Sequence, residues 1–83
     1  MRLPRDISGL ELAKRLAVLG YKVNRQNGSH IRLSTQQNGG HHITIPQHDP
    51  LKIGTFSAIL SDIANHFSMS REELATKLFL AQR

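Results

Sequence analysis

Apolar residues recur along this chain at two periods, and the switches between them mark out its elements. Leu10, Ala13, Leu16 and Ala17 follow helical spacing. Ser8 and Glu11 stand where a capping box would satisfy the first free N–H groups, and Gly20 suits the left-handed residue that closes a helix. Residues 21–25 then alternate like a strand. A second alternation runs from His30 to Ser34 after Gln26-Asn27-Gly28, and a third from His42 to Ile45, where Pro46 stops it. The segment Gln36 to Gly40 between the last two is a turn by composition. A polar loop from Gln47 to Gly54 leads to Thr55 as the predicted cap of a second helix, with Phe56, Ile59, Leu60 and Ile63 on its buried face. Ser70-Arg71-Glu72-Glu73 reads as another capping box, opening a third helix on which Leu74, Leu78 and Ala81 recur.

The order is α-β-β-β-α with an added C-terminal helix, which predicts an α+β fold. Its layered solution is a three-stranded antiparallel sheet with the helices on one face. Aligning the strands by their apolar residues turns Tyr21, Val23, Ile31, Leu33, Ile43 and Ile45 toward the helices. Lys22, Asn24, His30, Arg32, Ser34, His42 and Thr44 are left on the open face, with Lys14, Arg15 and Arg25 near its rim. With 83 residues the chain makes one domain over 1–83, its core about 8–66 and its C-terminal helix about 70–82.

Composition narrows the chemistry. Eleven Lys and Arg against six Asp and Glu give a formal charge of +5, which draws a domain toward polyanions. The absence of cysteine excludes a disulfide framework and a thiolate nucleophile or metal ligand. No apolar run approaches a membrane span, and the N-terminal MRLPRDIS lacks the apolar stretch of a secretory signal, so the expected location is the cytoplasm.

The open face therefore reads as a phosphate-binding platform that also carries imidazoles. His30 follows Gly28-Ser29 at the mouth of a strand. An imidazole there suits the removal of a proton from a ribose 2′-OH, or its return to a leaving oxygen, while Lys22, Arg25 or Arg32 stabilises charge on phosphorus. His41, His42 and His48 raise a zinc alternative. Spacing opposes it, because His41 and His42 project to opposite faces of a strand and no carboxylate at helical spacing completes a site. No metal or other cofactor is expected. His48, with Gln47 and Asp49, is placed on a loop facing nucleic acid or a partner. Two non-catalytic readings fit the same residues: an RNA-binding module in which His30 has no chemical task, and an adaptor for an acidic protein.

A resemblance separates these. Arg25-Gln26-Asn27-Gly28-Ser29-His30 resembles the R-Q-x-G-S-H segment of the HicA toxin family. Ile43-Thr44-Ile45-Pro46-Gln47-His48 resembles its strand ending in I-P-x-H, and Lys52-Ile53-Gly54-Thr55-Phe56 with Ile59-Leu60 resembles its K-x-G-T-L-x-x-I-L helix entry. Together with Leu19-Gly20-Tyr21 these motifs span about residues 9 to 64 in order. The resemblance implies a fold like that of double-stranded RNA-binding domains, metal-independent cleavage of mRNA, and neutralisation by a HicB-type antitoxin that covers the catalytic histidine. It implies His30 as that histidine, with Gly28 and Ser29 as the loop presenting it; Lys22, Arg25 and Arg32 on the open face and His48 on its loop are the RNA contacts expected from the charge pattern. The chain departs from the pattern at Asn27, where relatives often carry lysine, and in residues 68 to 83, which run beyond the usual core.

Overall fold

A computed structural model of the chain describes residues 6–80. Helix α1 (Gly9–Arg15) continues as a 3₁₀ turn (Leu16–Leu19) and stops at Gly20, whose φ of 81° is the left-handed closure its sequence position predicts. Strands β1 (Lys22–Asn27), β2 (His30–Thr35) and β3 (His41–Pro46) form one antiparallel sheet in the order β1-β2-β3. Helix α2 (Ile53–His66) follows, then α3 (Arg71–Ala75), which widens into a π turn (Thr76–Leu80). The α+β order and the three-stranded meander are those expected, as in the fold of double-stranded RNA-binding domains. Ala81, expected on the last helix, lies outside the described residues.

The core lies between sheet and helices. Ile31, Leu33, Ile43 and Ile45 point inward from β2 and β3 and meet Leu12, Leu16, Phe56, Leu60 and Ile63, all buried. Leu74 and Leu78 are fully buried in the same cluster. Each large apolar side chain removed from water contributes about 1.5–3 kcal/mol. The C-terminal segment is thus part of the core and braces α1 as well, since Arg15 Nη1 donates to the Leu78 carbonyl at 3.0 Å and its guanidinium lies over Phe79.

Several local expectations change. Leu10 and Ala17 are exposed, and the buried stripe of α1 is instead Gly9, Leu12, Ala13 and Leu16. Both phases have helical spacing; contact with β3 decides between them. Gly9 lies so close to the Pro46 carbonyl that a Cβ would collide with it, and Gly9 N donates to the His48 carbonyl at 2.9 Å. Ser8 caps the helix by accepting from Glu11 N, but the Glu11 carboxylate turns to Arg15 Nε at 2.9 Å, so the reciprocal half of the box is replaced by an i,i+4 ion pair. Arg15 is thereby committed to the helical layer and is not on the rim of the open face.

Helix α2 begins at Ile53 with Lys52 as its extended N-cap, earlier than the sequence expectation, and Thr55 lies within its first turn. The preceding loop is not wholly polar either: Leu51 is buried, and its N–H donates to the Ile7 carbonyl at 2.8 Å. The Ser70–Glu73 capping box forms with both hydrogen bonds, at 3.0 and 2.8 Å.

Candidate nucleic-acid interface

Strand β1 holds the main surprise. Lys22 pairs with Ser34 and Val23 with Leu33, but the next pair is Arg25 with Arg32, so Asn24 is an extra residue in a β-bulge. A one-residue slip exchanges the two faces of everything beyond it. Arg25, placed by simple alternation at the rim, comes to stand opposite Arg32. Asn24 leaves the regular ladder. Val23 is 54% exposed despite pairing with Leu33, because the helices cover β2 and β3 while every residue of β1 is exposed.

The register sorts the open face into three rows across the strands. Lys22, Ser34 and His42 form one, Arg25, Arg32 and Thr44 the next, and Asn27, His30 and Pro46 the last. Adjacent rows are two residues apart along the strand, about 7 Å. The structure therefore brings His30 beside the arginine pair and leaves Lys22 about 14 Å from it along the sheet.

None of the six acidic residues lies on a strand, whereas Lys22, Arg25 and Arg32 all do. Like charges directly opposite one another destabilise a sheet by about 0.2–1 kcal/mol. Among the described residues neither arginine has a carboxylate partner to offset that repulsion.

At the His30 end, Gly28 and Ser29 form the two-residue turn between β1 and β2, and Gly28 has a φ of 60°. Gln47 N donates to the Ser29 carbonyl at 2.6 Å, and Gln26 Nε2 donates to Gln47 Oε1 at 2.9 Å. These bonds tie the loop after β3 to the turn that presents His30. His48, the next residue, is held by its carbonyl to Gly9 and keeps an exposed side chain. His30 itself is exposed, and its side chain makes no hydrogen bond with the other described residues.

His41 and His42 separate as strand geometry requires. His42 is exposed on the open face. His41 turns the other way into a cluster that sequence reasoning missed: Tyr21 Oη lies 2.6 Å from His41 Nδ1, Asp62 Oδ1 lies 3.3 Å from His41 Nε2, and the His66 ring stacks on His41 at 4.4 Å. His66 Nε2 donates to the Gln37 and Gly39 carbonyls at 3.0 and 3.1 Å. Burial, with the Asp62 charge adding to it, pushes the Tyr21 phenol up to about 12. No local pattern announces this cluster, since His66 meets His41 only through the fold. Among the described residues no group of three His, Cys, Asp or Glu side chains is arranged to hold a metal ion, and no helix is long and apolar enough to cross a membrane.

Comparison with known proteins agrees with the motifs. Comparisons with curated proteins and with solved structures yield no match. The family model described as the HicA toxin of bacterial toxin-antitoxin systems matches residues 9–64, which carry α1, all three strands and most of α2. The chain belongs to the HicA toxin family, the toxin side of a toxin-antitoxin pair, and so has an antitoxin as its cognate partner.

Proposed function

We propose that this toxin is an endoribonuclease that cleaves mRNA without a metal, with His30 as its general acid or base. The observation that carries the reading is an exposed imidazole, unpartnered among the described residues, one row from two directly opposed arginines on a sheet free of carboxylates. RNA lies on the open face. Arg25 and Arg32 hold the backbone and stabilise the charge that builds on phosphorus, Lys22 and His48 extend the contact, and the Gly28-Ser29 turn gives the phosphate close access to the backbone.

His30 takes the proton from a ribose 2′-OH as that oxygen forms a bond to the adjacent phosphorus. The bond from phosphorus to the 5′ oxygen breaks, and the leaving oxygen takes a proton, returned by the His30 imidazolium or supplied by water. The products are a 2′,3′-cyclic phosphate and a 5′-OH, and imidazole chemistry suffices for the step. A HicB-type antitoxin silences the toxin by covering His30. The cytoplasm, where mRNA is found, is its place of action.

Purified protein and His30→Ala are incubated with a long mRNA in excess EDTA, and cleavage and binding are followed together. Cutting by the wild type alone, with RNA still bound by the variant, supports the reading. A 5′-phosphate product excludes the transfer step. Binding without cutting by either protein turns the assignment to an RNA-binding module.

A further inference from the structure

The open face ends, opposite His30, in a groove of about 440 Å³ lined by residues that include Gly20, Lys22, Asn24, Ser34, Gln36 and Gln37. Two backbone features shape it. Gly20 has no side chain at a φ of 81°, and a Cβ there would stand 2.7 Å from Gln37 Nε2 and 2.8 Å from Thr35 Oγ1. Asn24 is the extra residue of the bulge that brings Arg25 onto the face. The same irregularity in β1 thus contributes both to the arginine pair and to the groove wall.

The chemistry of the walls differs from that of the rest of the face. Asn24, Gln36 and Gln37 each offer a donor and an acceptor, Lys22 adds a cation, and no carboxylate is present. Among the described residues their side-chain polar groups are not engaged in hydrogen bonds or ion pairs. A phosphate needs cations, which the neighbouring row already supplies. Carboxamides with free donors and acceptors match the edges of an unpaired base.

We infer that this groove is a base-reading subsite. It rests on the assignment of RNA to the open face and deepens it: a strand running along β2 with one phosphate at the arginine pair and its ribose at His30 delivers a nucleotide to the groove a few positions from the cut. Asn24 and Gln36 hydrogen-bond its base edge while Lys22 holds its phosphate. The toxin then discriminates among RNA sequences at that nucleotide, away from the scissile bond.

The test uses full-length His30→Ala, which leaves the RNA uncut, and short single-stranded RNAs of four different base compositions. Side-chain amide signals of Asn24 and Gln36, with the Arg25 and Arg32 signals as reference, are followed by NMR during titration. Both sets are expected to shift, and the Kd values of the four RNAs to spread by about fivefold or more, near the worth of one or two hydrogen bonds. Adding Asn24→Ala and Gln36→Ala, both at exposed positions, should compress that spread to about twofold with the melting temperature unchanged. Shifts at the arginines with none at Asn24 and Gln36, or a spread that survives the double substitution, overturn the subsite and leave the RNA face standing. Failure of every RNA to shift any sheet signal overturns both.

Discussion

His30 and His41 sit near opposite ends of the same sheet and lead opposite lives. His41 spends both ring nitrogens on neighbours, Tyr21 on one side and Asp62 on the other, and its face on His66. His66 in turn ties the end of α2 to the turn between β2 and β3 through the Gln37 and Gly39 carbonyls. His30 spends nothing within the described part of the chain. An imidazole whose nitrogens are satisfied stabilises a fold and has no free valence for a substrate. One left bare at a strand mouth contributes little to stability and keeps its proton chemistry available. On the proposed reading, the satisfied His41 belongs to structure and the unsatisfied His30 to function.

That division is broken or upheld first at His30. Replacing it by Ala should lower the cleavage rate by about 10²–10⁴-fold, the usual worth of a positioned acid or base, while the melting temperature stays within error of the wild type. A large fall in melting temperature would put His30 among the structural histidines and undo the contrast. The reciprocal change is His41→Ala, which leaves the Tyr21 hydroxyl and Asp62 without their partner. It should cost about 1–3 kcal/mol in urea unfolding and leave cleavage per folded molecule unchanged. A cleavage defect at full folding would mean that the cluster serves the reaction as well.

The contrast also explains how much of the molecule is legible in its sequence. Local chemistry is legible: Ser70 and Glu73 cap their own helix, Gly20 closes α1, and Gly28-Ser29 turns the chain into His30. These features depend on residues within one turn of each other. The phase of α1 is not legible, because Leu10 and Leu12 are equally apolar, and which of them is buried depends on how the helix seats on the sheet, with Gly9 close against Pro46. Nor is the bulge, since alternation through Val23-Asn24-Arg25 fits a regular strand as well as a slipped one. Of the candidate site, the identity of its cations can be read, but not the register that sets Arg25 against Arg32. The His41–His66 stack is longer-range still, joining residues that only tertiary packing brings together.

The arginine pair carries a smaller effect with a sign that separates structure from function again. Arg25→Ala or Arg32→Ala removes a like-charge opposition, so either variant should gain a few tenths of a kcal/mol in unfolding free energy. Each should also bind RNA more weakly, with the dependence of log K on log salt shallower by about 0.7 for each single-strand phosphate that the variant no longer neutralises. Stability and affinity moving in opposite directions is the mark of a site strained in favour of its ligand. If an arginine-to-alanine change destabilises the protein and leaves the salt slope intact, the pair belongs to the scaffold.

The last effect sits at the structural end and is read best against pH. Tyr21→Phe deletes the hydroxyl that His41 Nδ1 accepts from and keeps the buried ring, so near neutral pH it should cost about 1 kcal/mol. The wild-type phenol has its pKa pushed from 10 up to about 12 by burial first and the Asp62 charge second. Between those values the folded state holds a proton that the unfolded chain has released. The contribution of this group is therefore complete below pH 10 and is lost as pH rises toward 12. Phenylalanine has no such proton. The margin of wild type over Tyr21→Phe should hold steady to about pH 10, then shrink to nothing and reverse before pH 12, because releasing a proton held to about 12 outweighs about 1 kcal/mol, with the other ionisable groups cancelling in the difference. A margin unchanged across that interval would show a phenol that ionises alike in both states, and the Tyr21–His41 contact would lose its place as the buried anchor that sets this end of the sheet apart from His30.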